Sequence, residues 1–298
     1  MTAAESPPRR RTKLWTRTLV VEVAVVLSLP VILGATVGFF EINPVAAELN
    51  TPAGYDAHLF LDSFPDDTLI VEIAYQTSVG PPASASVATL LDRIHETCSK
   101  GSVSVDEHAI APGAASFDVN GLLALEEKVR QHWPVPGTMA LFYLYLGASF
   151  GPESDVIGLA YRGSSIAIFE GTIDSDSTLL GSATAVTTTV MIHEFGHELG
   201  LVGIIGYAPN EDHQHPPHST DPNDVMYWEV DTTGISALGA TPPTQFDAAD
   251  LADLNTVRWT VIWTEALPWG VLVIDLLAVY LIVRADLRKR RSIVPAPE

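Results

Sequence analysis

Two long apolar segments, one near each end of the chain, set the first constraint on its fold. Leu19 to Phe40 runs for 22 residues with one charged side chain, Glu22, and Val261 to Val283 forms a second, largely apolar run. A helix rises about 1.5 Å per residue, so about 20 apolar residues cross the hydrocarbon core of a bilayer. The sequence therefore predicts two transmembrane helices, over residues 19–40 and 261–283.

The basic residues predict how these two helices are oriented. Five Lys and Arg side chains lie in residues 1–18, and another five lie between Arg284 and Arg291. Short segments rich in Lys and Arg stay on the cytoplasmic side of a membrane. We therefore expect cytoplasmic tails at 1–18 and 284–298, and a domain outside the cytoplasm at 41–258, in a multi-pass protein of the cell membrane. The sequence Pro44-Val45-Ala46-Ala47 leaves open that the first segment is a cleaved signal peptide.

The segment between the two apolar runs is strongly acidic. From Glu41 to Thr256 it contains 30 Asp and Glu side chains and five Lys and Arg side chains. Phosphate binding needs a positive surface, so nucleic acid is excluded as a partner of this domain. The single cysteine, Cys98, cannot form an intramolecular disulfide and does not indicate the redox compartment.

Apolar patterns inside the acidic segment alternate between strand-like and helix-like periods. Strands are predicted at Leu69 to Tyr75, Val103 to Ile110 and Met139 to Leu146, with a strand or hairpin from Val156 to Phe169. Helices are predicted at Val87 to Cys98, Leu122 to His132, Thr178 to Leu199 and Asp247 to Val257. This mixed order predicts an α+β domain built on a small mixed sheet.

The residues that carry chemistry begin with an H-E-x-x-H motif at His193 to His197, inside the longest predicted helix. Residues four apart share a helix face, so the two imidazoles can bind one Zn²⁺ at about 2.0–2.1 Å, with Glu194 beside the metal. Zinc lowers the pKa of a water molecule toward about 7, and Glu194 can accept the proton as general base before the water attacks a carbonyl. The motif predicts zinc-dependent hydrolysis.

Two segments together resemble the metzincin zinc metallopeptidases, and their matrix-metalloproteinase branch in particular: HEFGHELGL at 193–201 and HSTDPNDVMYW at 218–228. The resemblance implies a zincin fold with an active-site helix, a methionine turn at Met226 beneath the metal, and hydrolysis of a protein or peptide substrate. It also implies that substrate lies along an edge strand. Our candidate is Ser164 to Phe169, with the residues Ser164, Ser165, Ile166 and Ala167.

The chain departs from the family pattern at the third zinc ligand. The family's third histidine would stand at position 203, where this sequence has Gly203, and an insertion runs from Val202 to Pro217. His218 follows the insertion and is the predicted third ligand. Histidine alternatives are His213 and His215, and the carboxylate alternatives of a glutamate-type zincin are Glu211 and Glu229.

The sequence thus favours a membrane-anchored zinc metalloendopeptidase with Zn²⁺ as cofactor. Two other functions stay open. One is a membrane-embedded zincin of the glutamate-ligand or intramembrane type. The other is a catalytically inactive zinc-binding surface domain, although Glu194 argues against it because a structural zinc site needs no general base.

Overall fold

The computed structural model describes residues 51–175, 183–204, 208, 210–238 and 241–261, together with eight positions between 270 and 284. The chain divides into two units, Phe40–Val261 and a second formed by Met1–Phe39 with Ile262–Glu298. The predicted transmembrane segment 19–40 lies outside the described residues, as does most of 261–283. In the described part of the chain, no helix has both the length and the apolar character needed to cross a membrane.

The described part of the Phe40–Val261 unit contains both helices and strands, as the sequence predicted. The helices are α1 (Ala57–Leu61), α2 (Ser84–Thr97), α3 (Val119–Val129), α4 (Glu170–Ser175), α5 (Ala183–Glu198) and α6 (Ala248–Val261). The strands are β1 (Thr68–Gln76), β2 (Ser102–Ile110), β3 (Ser116–Phe117), β4 (Thr138–Leu146), β5 (Ser149–Phe150), β6 (Gly158–Arg162) and β7 (Ser165–Phe169). Two 3-10 helices, Trp228–Asp231 and Thr233–Leu238, precede α6.

Five of the strands form one mixed sheet in the order β2-β1-β4-β7-β6. The first four run parallel, with Thr68 of β1 paired to Ser102 of β2 and to Thr138 of β4. Strand β6 pairs antiparallel with β7 and forms one edge of the sheet. The α+β class and the small mixed sheet are therefore confirmed.

The predicted substrate strand does not lie at that edge. Strand β7 pairs with β4 on one side and with β6 on the other, so its backbone groups are already used in the sheet. The four residues proposed to bind substrate are buried: Ser164, Ser165, Ile166 and Ala167. The edge assignment was wrong, because β7 is the strand of the hairpin that pairs with β4, which leaves β6 as the outer strand.

Side chains from both faces of the sheet pack into apolar clusters. Alternate residues of β4 divide between them, since successive side chains of a strand point to opposite faces. Met139, Leu141 and Tyr143 join the larger cluster, which includes side chains of α2 and α5. Phe142 and Leu144 join the smaller one. Helix α5 therefore packs against one face of the sheet, and this packing fixes the position of its polar residues relative to the strands.

The end of α3 differs from the predicted one. The sequence placed it at His132, but the helix ends at Val129 and Arg130 adopts an extended conformation. The carboxylate of Glu72, in the neighbouring strand β1, accepts hydrogen bonds from the backbone N–H groups of Gln131 and His132, each at 2.7 Å. A side chain distant in sequence thus takes the donors that a further helical turn would use.

Candidate metal centre

Helix α5 carries the H-E-x-x-H motif in its last turns and is buried on all sides from Val186 onward. The helix ends at Glu198, and Gly200, two residues later, has a φ of 73°. The N–H of Gly200 donates to the carbonyl of His197, and the N–H of Leu201 donates to the carbonyl of Gly196. This pair of bonds is a Schellman motif, which favours glycine because its left-handed conformation is strained for other residues. The chain can then turn away from the helix, as predicted.

Three histidines meet above this part of α5. The ring of His193 lies with its centroid 4.7 Å from that of His197 and 5.2 Å from that of His218. One nitrogen of each ring lies within 4.8 Å of the other two. The sequence predicted this grouping across an insertion of unknown path, and the structure brings the three side chains together.

Backbone carbonyls orient two of the three rings. Nδ1 of His193 lies 2.7 Å from the carbonyl oxygen of Val225, and Nδ1 of His218 lies 2.8 Å from that of His215. A carbonyl can only accept, so each Nδ1 carries a proton and each Nε2 presents a lone pair. Such a bond to the remote nitrogen is the usual way in which proteins fix a metal-binding histidine.

Burial keeps these imidazoles neutral. Desolvation, with a smaller contribution from His218, lowers the pKa of His193 to about 3. Desolvation also lowers the pKa of His197 well below its usual value and lowers that of His218. The neutral form is the one that binds metal, so the three side chains hold the protonation state that a ligand needs.

The donor geometry fits a zinc ion. Nε2 of His193 and Nε2 of His197 are 3.1 Å apart. Two nitrogens bound at about 2.0–2.1 Å in a tetrahedral site lie roughly 3.3 Å apart, close to this separation. Nε2 of His218 is buried and has no hydrogen-bond partner. A buried lone pair without a donor is costly, and a metal ion would satisfy it.

Glu194 is buried beside the three rings. Its Oε2 accepts a hydrogen bond of 2.7 Å from the backbone N–H of Ala160, whereas its Oε1 is buried without a partner. Burial, and then the charge of Asp231, raise the pKa of Glu194 well above its usual value. A carboxyl group with a raised pKa can both accept a proton and return it near neutral pH.

The contact between Glu194 and Ala160 shows that strand β6 lies next to the histidine cluster. Ala160 lies in β6, and its N–H donates to Glu194 and not to β7. A Cβ added at Gly158, in the same strand, would lie 2.4 Å from Oε1 of Glu194. Only glycine permits the strand to approach the helix this closely. The outer edge of β6, on the side away from β7, therefore runs alongside the carboxylate.

Met226, the residue of the predicted methionine turn, packs against helix α5 at Gly196. It is fully buried, and a Cβ added at Gly196 would lie 2.2 Å from its sulfur. The N–H of Ser219, the residue after His218, donates to the carbonyl of Met226 at 2.8 Å. The loop that carries His218 and the loop that carries Met226 are therefore joined directly.

The alternative ligands lie outside this cluster. His213 is exposed, and His215 stacks on Trp228 with ring centroids 4.1 Å apart. Glu211 lies against Gly203, and Glu229 against Gly234. Among the described residues, neither carboxylate belongs to the group of side chains that could share an ion with His193.

Sequence reasoning missed Asp231, which lies at the end of the first 3-10 helix. Its Oδ2 is 3.6 Å from Nε2 of His218. Burial raises the pKa of Asp231 to about 7, and the nearby charges of Asp155 and Glu153 contribute to the rise. Asp231 lies three residues beyond Trp228 and belongs to no recognised motif. Its acidic side chain shortly after the methionine turn was the one sequence feature that could have pointed to it.

Comparisons with known proteins yield distant structural neighbours. No family model matches the sequence, and no curated protein matches it. The crystal structure of archaemetzincin from Methanopyrus kandleri is similar over 64% of this chain and 96% of its own, with 14% identity and a TM-score of 0.45. Metalloproteinase II from Bacteroides fragilis is similar over 66% of this chain, with 13% identity and a TM-score of 0.38. The match spans 54% of that second protein.

Proposed function

We propose that this chain is a zinc-dependent endopeptidase of the metzincin type, anchored in a membrane with its catalytic domain outside the cytoplasm. One observation carries the catalytic part of the proposal: three neutral imidazoles, two buried and one partly buried, converge beside a carboxylate at the outer edge of a sheet. His193, His197 and His218 would hold Zn²⁺. The ion, when bound, supplies Lewis acidity that activates a water molecule and polarises a carbonyl.

Glu194 is the proposed general base. The hydrogen bond from Ala160 to Oε2 holds its carboxylate in one orientation and leaves Oε1 available for a water molecule. Oε1 would take the proton from that water and deliver it to the leaving amine of the substrate. A purely structural zinc site has no use for such a group, so Glu194 favours the enzyme over the inactive surface domain.

The outer edge of β6 is the proposed substrate site, in place of Ser164 to Phe169. A peptide could add to this edge as a further strand, with its backbone groups bonded to those of β6. Beyond one end of β6 the edge is already occupied, because the N–H of Ile157 donates to the carbonyl of Asp231 at 2.8 Å. At the other end, the N–H of Gly163 donates to the carbonyl of Thr51 at 2.8 Å. Substrate would therefore lie along residues 158–161, directly beside Glu194.

Zinc content tests the catalytic proposal. The purified full-length chain is expected to hold about one zinc ion, measured by elemental analysis, and to cleave a denatured protein substrate. Dialysis against a zinc chelator should remove both the metal and the activity, and added zinc should restore both, because three protein ligands define one catalytic site. Cleavage that persists in the metal-free protein would reject the mechanism.

The membrane part of the proposal rests on the two apolar segments and the basic clusters beside them. The structure describes some residues of the second segment. Six large apolar side chains there are 52–66% exposed: Val273, Ile274, Leu276, Leu277, Tyr280 and Leu281. Side chains of this kind are stable when exposed to lipid and costly when exposed to water.

Protease protection tests the topology. In intact cells, an added protease should cleave within residues 41–258 and spare epitope tags at either terminus, because both basic clusters are expected to stay inside. Permeabilised cells provide the control, in which the tags should also be lost. Protection of 41–258 together with cleavage of the tags would show that the orientation is reversed.

A further inference from the structure

A second group of ionisable side chains, separate from the three histidines, includes a residue close in sequence to Met226. Asp224 precedes Met226 by two residues, and Asp247 and Asp250 lie at the start of α6. One carboxylate oxygen from each lies within 4.8 Å of the other two. Asp224 and Asp250 are each only 1% exposed, whereas Asp247 is partly exposed.

One oxygen of each carboxylate has a structural role. Oδ1 of Asp224 accepts the N–H of Met226 at 3.0 Å. Oδ1 of Asp247 accepts the N–H groups of Ala249 and Asp250 at 2.6 and 2.8 Å and so caps the N-terminus of α6. Oδ2 of Asp250 lies 3.3 Å from the N–H of Asp247. These bonds hold all three carboxylates in place.

The two buried carboxyl groups contact each other, and the Ser219 side chain also hydrogen-bonds to Asp224. Oδ2 of Asp224 and Oδ1 of Asp250 are buried without a hydrogen-bond partner. None of the ion pairs formed among the described residues includes any of the three aspartates. Two buried carboxylates facing each other without a cation are strongly unfavourable unless they share a proton or bind an ion.

We infer that Asp224, Asp247 and Asp250 bind one divalent cation of the calcium class. All the available donors are carboxylate oxygens, which hard cations such as Ca²⁺ prefer, whereas zinc in this domain has imidazole ligands available. Calcium takes about 6–8 oxygen ligands, so water molecules would complete the shell on the side of Asp247, where the site is partly open.

The cation would join two segments that the zinc site depends on. Asp224 belongs to the loop that carries Met226. Ser219, the residue after His218, donates its N–H to the carbonyl of Met226 in that loop. Asp247 and Asp250 belong to α6, which closes the domain. A cation bound by both segments would hold the loop that carries Met226 against α6. It would thereby stabilise the loop to which the His218 segment is hydrogen-bonded.

The competing explanation is a proton shared between Asp224 and Asp250. Burial, then a hydrogen bond with the Asp224 side chain and the charge of that residue, raise the pKa of Asp250 to about 9, so an acid form of this pair would persist at neutral pH in the absence of a cation. The two explanations predict opposite responses to calcium and to amide substitution. An amide replaces a protonated carboxyl with little change, but it is a much weaker ligand for a divalent cation than a carboxylate.

Thermal unfolding of the full-length chain in detergent, freed of metal and then titrated with CaCl₂, tests the inference. NaCl of equal ionic strength controls for screening of the acidic surface. Calcium at about 100 times its Kd should raise Tm by about 5–10 °C. Asp224→Asn and Asp250→Asn should abolish this shift, whereas Asp221→Asn, an exposed position in the same loop, should keep it.

A second measurement covers the case in which a variant fails to fold. Tb³⁺, which occupies calcium sites, should bind the wild-type chain with emission sensitised by nearby aromatic residues, and calcium should displace it. The inference is overturned if calcium does not shift the Tm of the wild-type chain beyond NaCl, if the shift survives in both Asn variants, or if Tb³⁺ shows no calcium-displaceable binding.

Discussion

Replacing Glu194 by Gln is expected to lower kcat/KM by about 10²–10⁴ while zinc content stays at the wild-type level, because general-base catalysis contributes this much and Glu194 is not a ligand. Glutamine has the same shape, and its side-chain oxygen can still accept the hydrogen bond from Ala160. The substitution therefore removes the base without disturbing the strand beside it. Single-turnover cleavage assays and elemental analysis of the same sample provide the two readouts.

Glu229→Gln is the matched control for this substitution. Glu229 lies in the 3-10 helix near the site but does not join the histidine cluster, so both zinc and activity should remain. Unchanged turnover in the Glu194 variant would show that the carboxylate is not the base. Loss of zinc from the Glu229 variant instead would favour the glutamate-type alternative.

Replacing His218 by Ala is expected to weaken zinc binding by more than 100-fold, since loss of an outer partner of a ligand already costs about 10–100-fold. Activity should fall with zinc occupancy, because a catalytic site needs three protein ligands and one open position. His193→Ala and His197→Ala should have the same effect. Competition with a chelator of known zinc affinity measures the change directly.

His213 and His215 are the controls, because both lie in the same inserted loop. His213→Ala removes an exposed side chain, and His215→Ala removes the stacking on Trp228 but keeps the backbone carbonyl that orients His218. Both variants should retain zinc. If either loses zinc while the His218 variant retains it, the third ligand lies inside the insertion.

The sequence determined those features that rest on local chemistry. The strands at Leu69 to Tyr75 and Met139 to Leu146 were predicted because each is a long apolar run, and burial of such runs drives folding wherever they are placed. The turn at Gly200 was predicted because its spacing from His197 and its lack of a Cβ are both local. The pairing of His193 with His197 follows from the period of a helix alone.

Only the tertiary structure decided the features that depend on strand order and on distant partners. The sequence of β6 and β7 reads as a hairpin, but which strand lies at the edge depends on which one pairs with β4. The end of α3 is set by Glu72, more than 50 residues earlier in the chain. Asp231 reaches His218, and Asp224 reaches Asp250, across loops without any periodic signal. The period of the apolar residues indicates which face of a helix or strand is buried. These contacts depend instead on how the helices and strands are arranged in space.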